Sequence, residues 1–327
     1  MVDFGPILER FASARVMVVG DLMADKYVWA DDQGSIRGAT EVLKVRREDY
    51  ALGGAANVAN NLRAMGSEVF LCGIVGYDDA AHWFRRGCHE AGIDTSGIFP
   101  VNDRPTTLKI RVMTGERPAP LFRVDYERAD AADASELASM LTYVENYLPM
   151  VDALILSDFD RGIFASEDFT LGLMERALHH QKITVIEPKG PRLDCCQRAR
   201  LVILGDIEAE DFCQRAFQPA PEKWEALGDR LRETLGCEAL AVLRSEEELW
   251  YHYREGETGR HVVETVDRRM VRDATGVKDT ITSALALSLI AGADPPAAAC
   301  LAMKVAEKVV SRIGTATVSL AELRRTL

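Results

Sequence analysis

The residues best suited to chemistry form one stretch, Asp273-Ala274-Thr275-Gly276-Val277-Lys278-Asp279-Thr280, followed at once by an Ala-rich apolar segment that begins Ile281-Thr282-Ser283-Ala284-Leu285. It reads as a loop that ends in a helix N-terminus. Gly276 permits backbone angles that most residues avoid. Thr275, Asp279 and Thr280 can each satisfy an orphan amide of the first helical turn. Free N–H groups and the helix dipole point the same way at such a start, which makes it an anion site. A carboxylate there, Asp279, is placed to take a proton from a hydroxyl. A base beside an anion hole is what phosphoryl transfer to an alcohol requires. The same residues also read as an ordinary capped helix running into the core, and spacing alone leaves both readings open.

Three other groups could meet a small polar ligand. The apolar run Arg15-Val16-Met17-Val18-Val19-Gly20-Asp21 reads as a buried parallel strand with a carboxylate at its C-terminal edge, where open α/β sheets bind ligands. Asp21 and Asp25 are therefore candidates for sugar hydroxyls, or parts of a strand-end turn. Gly53-Gly54-Ala55-Ala56-Asn57-Val58-Ala59-Asn60 reads as a tight loop entering a helix, with Asn57 and Asn60 able to bond a sugar; close helix–sheet packing is the plainer reading. Lys109, Arg111 and Arg123 fall on short strands, the first two on one face by period two. They suit a phosphate, or a solvated face.

The elements that must position these groups follow a βαβ rhythm. Residues 153–157, 183–186, 201–204 and 240–243 read as strands, with helical patterns at 135–147, 169–179 and 224–235 between them. That predicts a parallel sheet covered on both faces. Helices from Asp279 and over 295–312 close the fold. Short strands at 27–30, 42–45, 108–113 and 121–125 lie outside the rhythm and predict a small separate sheet, with Arg117-Pro118-Ala119-Pro120 as a turn. Such a sheet must bury a face, and a second subunit is a common way to do it.

The chain has 327 residues, a formal charge of −12 and 47% apolar residues, which suits one α/β domain over 1–327 with lid strands inserted at about 25–48 and 106–126. No long uncharged apolar run exists, and residues 1–11 lack a signal peptide's basic start. The seven cysteines are scattered without metal-site spacing and read as reduced thiols of a cytoplasmic protein. The acidic balance argues against nucleic acid as a partner.

The stretch at 273–280 resembles the C-terminal signature of the ribokinase (PfkB-type) carbohydrate kinases, Asp-x-x-Gly-Ala-Gly-Asp-Thr. Residues 53–60 resemble their N-terminal signature, Gly-Gly-x-x-x-Asn-x-Ala. Further pieces match the branch that phosphorylates heptose 7-phosphate: Gly20-Asp21-Leu22-Met23-Ala24-Asp25-Lys26-Tyr27, Thr106-Thr107-Leu108-Lys109-Ile110-Arg111-Val112, Phe122-Arg123-Val124-Asp125-Tyr126-Glu127, Leu156-Ser157-Asp158-Phe159, Glu187-Pro188-Lys189-Gly190 and Gly314-Thr315-Ala316-Thr317-Val318-Ser319. With no nucleotidyltransferase segment following, the chain is similar to the stand-alone kinase of that branch. The resemblance implies a three-layer α/β/α sandwich, with a mainly parallel central sheet and a small β-sheet lid through which a homodimer forms. It implies Asp279 as base, with Gly276 and Lys278 at the anion hole. The acceptor sugar phosphate would meet Asp21, Asp25, Gly53, Gly54, Asn57, Lys109, Arg111, Arg123, Asp158 and Lys189. ATP would meet Glu208, Arg244, Thr275 and Gly276, with Mg2+ near Glu208.

The nucleotide half departs from the family pattern. Val277 and Lys278 replace Ala and Gly, Gly205 replaces an Asn, Glu187 an Asp, and Leu243 and Glu248 a small hydroxyl residue and a glycine in what reads as a turn. A non-glycine at 278 is costly if that position needs positive φ, yet an ammonium there could bind phosphate. Two functions follow: a sugar kinase acting on heptose 7-phosphate at its anomeric hydroxyl, or a kinase-fold protein that binds sugar phosphate without turnover, as a sensor or partner subunit.

Overall fold

The computed structural model of the chain describes residues 3–31, 35–37, 40–114, 120–189, 194–216, 224–244, 248–253, 257–262 and 275–327. In chain order the first half holds α1 (Gly5–Phe11), β1 (Arg15–Gly20), β2 (Leu22–Ala30), β3 (Ser35–Arg37), β4 (Thr40–Val42), β5 (Val45–Gly54), α2 (Ala55–Ala64), β6 (Glu68–Gly76), α3 (Asp79–Glu90), β7 (Asp94–Val101), β8 (Thr107–Thr114), β9 (Phe122–Tyr126) and α4 (Ala134–Tyr147). The second half holds β10 (Ala153–Ser157), α5 (Glu167–His179), β11 (Ile183–Glu187), β12 (Leu201–Gly205), α6 (Asp206–Ala216), α7 (Trp224–Leu235), β13 (Ala239–Arg244), β14 (Glu248–Tyr253), β15 (Glu257–Val262), α8 (Val277–Ile290), α9 (Pro295–Val309) and α10 (Leu320–Thr326).

The main sheet runs β15-β14-β13-β12-β11-β10-β1-β6-β7, parallel from β13 to β7, with β14 and β15 antiparallel at one end. Its strands are apolar on both faces because helices cover both. Val16 and Val18 of β1, with Ala153 and Ile155 of β10, join one core beneath α2, α8 and α9. Met17, Val19, Leu154 and Leu156 alternate into a second core beneath α4 and α5. α8 is the most deeply set helix. Eleven of its fourteen residues are buried, as an all-round apolar helix must be.

A four-stranded sheet, ordered β5-β2-β8-β9, stands over the C-terminal edge of β1. Only Asp21 separates β1 from β2, so one residue carries the chain from the main sheet into the small one. Asp25 and Tyr27 share one face of this small sheet with Lys109, Arg111, Arg123 and Asp125, as the pairings Asp25↔Lys109, Tyr27↔Arg111, Lys109↔Asp125 and Arg111↔Arg123 require.

The structure corrects several expected boundaries. The strand placed at 42–45 is two pieces: β4 pairs with β3 in a separate ribbon, and Val45 opens the ten-residue β5. The charge run Arg46-Arg47-Glu48-Asp49 disguises β5, but an edge strand tolerates such charges. The expected loop at Gly53-Gly54 is the end of that strand, and α2 follows directly. Of the turn expected over 243–248, residues 243, 244 and 248 are the ends of β13 and β14, and 245–247 lie outside the described residues. The last long helix ends at Val309, three residues short of the expected Arg312. Residues 115–119, 190, 245–247, 273 and 274 lie outside the described residues, and with them most of the expected 117–120 turn. Among the described residues no helix is long and apolar enough to cross a membrane.

Candidate active site

α8 starts immediately after Gly276, whose φ is +84°. Glycine takes that conformation without strain, and a Cβ there would stand 2.6 Å from Asn57 Nδ2. Gly276 is the N-cap and offers no side chain. Asp279 is therefore the third helical residue rather than a cap, and its carboxylate faces outward from the helix start to other partners. Thr280 Oγ1 turns back to Gly276 O at 3.0 Å and reaches Asn61 Oδ1 at 3.0 Å. This corrects the sequence reading in which Asp279 and Thr280 satisfy the first amides. Lys278 lies inside the helix, two positions beyond the left-handed residue. A lysine at 278 thus carries none of the backbone strain that a positive φ would impose.

A buried polar chain holds Asp279. Thr280 Oγ1 donates to Asn61 Oδ1, Asn61 Nδ2 donates to Asn57 Oδ1 at 3.2 Å, and Asn57 Nδ2 donates to Asp279 Oδ2 at 2.6 Å. Each amide is thereby oriented by the one before it. Asp279 is 6% exposed. Burial, then repulsion from Glu187, raise its carboxyl against the Asn57 bond and the Lys278 charge, up to about 7. Sequence reasoning missed Asn61. Its i,i+4 spacing from Asn57 on α2 was the available signal.

Carboxylates gather on the side of α8 that faces β11. Glu187 accepts from Ser157 Oγ at 3.0 Å and from Thr282 Oγ1. Thr282 is one turn beyond Lys278, so the lysine occupies the same face of α8. Burial works against the Lys278 charge, but Glu187, Glu208, Asp279 and Asp158 outweigh it and hold the ammonium above the usual lysine value.

The acceptor-side candidates divide into two groups. Asp25 pairs with Arg111, and Lys109 reaches Asp125 at 3.4 Å and Glu127 at 3.1 Å. Arg123 pairs with Asp125 at 2.9 Å and is 54% exposed. Against desolvation, Lys109 and Arg123 hold Asp125 below the usual carboxylate range. The expected phosphate grip is therefore an alternating charge network on one sheet face. Gly53 lies against the Asp25 carboxylate and Gly54, at φ +57°, against Asp21 O. The second group serves the backbone. Asp21 Oδ2 accepts from the amides of Phe159 at 2.9 Å and Arg161 at 3.1 Å, and burial raises its carboxyl despite those bonds. Asp158 accepts from the amides of Asp160 at 2.7 Å and Lys189 at 3.2 Å. Lys189 thus enters through its N–H, and its side chain is exposed. Asn60 is half-buried and outside the Asp279 chain. Beneath the small sheet a cavity of about 360 Å3, lined by Tyr27, Trp29, Arg47, Asp49, Gly314 and Thr315, opens beside Gly276. That volume suits a small ligand.

The family model for pfkB family carbohydrate kinases matches residues 13–322. The chain belongs to the pfkB carbohydrate kinase family. It is 35% identical over 321 residues to the bifunctional protein HldE of Pseudomonas aeruginosa (strain LESB58), covering 97% of this chain and 64% of that one. It is 33% identical over 310 residues to HldE of Helicobacter pylori (strain J99 / ATCC 700824), covering 94% and 65%. The chain thus spans just under two thirds of these relatives' length. In fold it matches Arabidopsis thaliana ribokinase, solved with ribose and ATP, at TM-score 0.72 and 14% identity over 95% of this chain and 98% of that one. It also matches Escherichia coli phosphofructokinase-2, solved with potassium, at TM-score 0.73 and 12% identity over 95% and 97%. The fold is the ribokinase-like α/β sandwich expected from the sequence.

Two of the residues expected to meet the nucleotide, Glu208 and Arg244, lie at the C-terminal ends of β12 and β13. A Cβ at Gly205 would stand 2.3 Å from Glu208 Oε2. The glycine that replaces the family asparagine therefore makes room for Glu208 to fold back toward the sheet. Arg244 Nη1 lies 3.9 Å from the carboxylate of Glu248 on the next strand, whose Oε1 accepts from Trp250 Nε1 at 2.5 Å. The carboxylate that seemed repulsive in a turn is thus partnered on β14. Thr275 is half-buried beside Gly276. Among the described residues no three His, Cys, Asp or Glu side chains converge as a metal site. Glu187 and Asp158 each give both carboxylate oxygens to hydrogen-bond donors. Among the described residues those two carboxylates are therefore already taken by protein donors.

Proposed function

We propose that the protein transfers the γ-phosphoryl group of ATP to the anomeric hydroxyl of a phosphorylated sugar, heptose 7-phosphate. The observation that carries this reading is the buried Asp279 carboxylate, held by Asn57 at the start of α8 with its pKa raised to about 7. Such a carboxyl is poised to accept a proton near neutral pH. In the proposed step the acceptor hydroxyl gives its proton to Asp279. Its oxygen bonds to the γ-phosphorus, and the bond from that phosphorus to the bridging oxygen of ADP breaks. The amides from Gly276 to Asp279 stabilise the transferring phosphoryl oxygens, and the Lys278 ammonium adds positive charge beside them. Asp25, Gly53, Gly54 and Asn57 line the acceptor side beneath the small sheet, with Lys109, Arg111 and Arg123 in its roof and Asp158 and Lys189 at its edge. Thr275, Glu208 and Arg244 border the nucleotide. Magnesium enters on the nucleotide, as substrate.

The choice of heptose 7-phosphate rests on the resemblance of 20–27, 106–112 and 122–127 to heptose kinases. It implies a role in making lipopolysaccharide precursors in the cytoplasm. A second reading, binding without turnover, is favoured by one observation: Lys278 stands among four carboxylates, where its ammonium competes with the nucleotide's own cation. Calorimetric titration with Mg-AMPPNP, with and without heptose 7-phosphate, separates the two. Kinase function predicts binding in the micromolar to sub-millimolar range, roughly −5 to −8 kcal/mol. Folded protein that binds no nucleotide under either condition overturns it and leaves the second reading.

The outer face of the small sheet supports a homodimer. Leu108, Ile110 and Val112 lie opposite Tyr126, Val124 and Phe122. The three β9 residues are 54%, 41% and 47% exposed. A contiguous apolar face of this kind suits a partner copy.

A further inference from the structure

A second polar cavity lies at the C-terminal edge of β1. It is lined by Asp21, Arg104, Arg128 and Arg161 together with Ile74 and Ile163. The two isoleucines belong to the core under α4 and α5, opposite the α8 face. The three guanidiniums come from three separate segments: before β8, after β9 and after β10. Arg104 donates to Arg161 O at 3.1 Å and to Asp130 O. Both are neutral carbonyls, so these bonds aim the guanidinium without cancelling its charge. Arg128 is held by Asp103 O and the Asp130 carboxylate. Arg161 pairs with Glu127 at 2.9 Å, the carboxylate it shares with Lys109.

Two polar atoms at this place are buried without a hydrogen bond of normal geometry: Arg161 Nε, a donor, and Asp21 Oδ1, an acceptor, on a carboxyl that the Ile163 amide also favours. Asp21 is 2% exposed. Leaving such atoms unmatched is costly. Together they describe a ligand that carries an anion and, next to it, a hydroxyl. Asp21 also links the wall of the cavity to the helix that holds the base. Ala55 N at the start of α2 donates to Asp21 O at 3.0 Å, and Asn57 on that same first turn holds Asp279.

We propose that this cavity is the phosphate subsite of the acceptor. Arg104 and Arg161, backed by Arg128, take the phosphomonoester, and Asp21 Oδ1 accepts the hydroxyl on the adjacent carbon. The proposal rests on the reading of the acceptor as a phosphorylated sugar. It moves the phosphate away from the roof of the small sheet, where Lys109, Arg111 and Arg123 are each matched to a carboxylate, to a place where Arg104 is held by carbonyls alone, while Arg128 and Arg161 keep Asp130 and Glu127 as partners. Guanidinium forks converging from three segments suit a phosphate.

The test is calorimetric titration of the full chain with heptose 7-phosphate and with the unphosphorylated heptose. Wild-type protein prefers the phosphate ester by roughly ten- to a hundredfold, as charge-assisted bonds of this kind give. Arg104→Gln and Arg161→Gln erase most of that preference and leave binding of the unphosphorylated sugar unchanged. Arg161→Lys, which keeps the charge, recovers part of it. Asp21→Asn retains an oxygen for the amides of Phe159 and Arg161, so the loop stays capped; it weakens both sugars alike. A preference that survives both glutamine variants, or that is lost in Lys109→Gln instead, overturns the assignment. Equal wild-type binding of the two sugars overturns it as well. Wild-type protein that binds neither sugar refutes the acceptor reading itself, and the subsite with it.

Discussion

Asn57 and Asp279 are 222 residues apart in the chain and 2.6 Å apart in space. Their bond ties the first turn of α2 to the first turn of α8, one from each half of the protein. Because Asn61 fixes the orientation of the Asn57 amide, Asp279 meets a donor on one oxygen, and the proposed step uses the carboxylate for a substrate proton.

Removing that second function alone is the direct test of the base. Asp279→Asn keeps the size of the side chain. Turnover measured by ADP release falls by about 10²–10⁴-fold, while Mg-AMPPNP binding is retained. Unchanged turnover would remove Asp279 from the mechanism.

The pH dependence follows from the raised carboxyl. A base must be deprotonated, so kcat/KM rises with pH through about 7. Glu187→Gln removes a repulsive neighbour and moves that midpoint to lower pH. Stability runs the other way. Between the ordinary value of 3.8 and about 7 the folded protein holds a proton that the unfolded chain releases. The stabilisation is complete below the unfolded value and is lost as pH rises through the folded one. Asp279→Asn therefore raises Tm more at pH 8 than at pH 4, which differential scanning calorimetry reads directly.

Gly276→Ala combines two penalties. The residue would adopt φ near +84°, at a cost of about 1 kcal/mol or more, and its Cβ would crowd Asn57 Nδ2. Lower Tm and impaired turnover are expected together. A variant with wild-type Tm would show that the helix start can rearrange.

Lys278 is the sharpest departure from its family, and its substitution has a sign. With the ammonium assisting phosphate binding, Lys278→Ala weakens Mg-AMPPNP binding and slows turnover by about tenfold or more. Faster turnover in Lys278→Gly would mean that the lysine obstructs the site, and would favour binding without catalysis.

The outer face of β9 gives the assembly prediction. Phe122→Asp or Val124→Asp places a charge in the proposed dimer contact. Sedimentation should show dimer for the wild type and monomer for either variant. A wild-type monomer at micromolar concentration would dismiss this interface.

The deep parts of the fold were legible because burial constrains residue type. β1, β10, β12 and β13 announce themselves as short apolar runs, and the Gly276–Asp279 stretch as a helix start. β5 was not legible along its charged length, because Arg46, Arg47, Glu48 and Asp49 lie on an exposed edge where side chains meet β2 through charge and hydrogen bonds and leave no apolar run to read. β14 hid behind a run of glutamates whose last member is partnered across strands. The positions of Asp279 and Asn57 could be anticipated from their motifs, but the bond between them needs tertiary structure. Arg104 and Arg161 carried no signal at all. What distinguishes them is convergence from distant loops, and no local spacing encodes that.

One residue, Asp21, joins β1 to β2. Side chains alternate strictly along a strand, so the parity of that connection decides which face of β2 looks inward. Inserting or deleting a residue at 21 would send Asp25 and Tyr27 to the outer surface and bring Lys26 and Val28 over the cleft. The small sheet could keep its hydrogen bonds and still present the wrong half of its alphabet. Length at this point is therefore as much a determinant of what the protein recognises as the identity of any side chain above it.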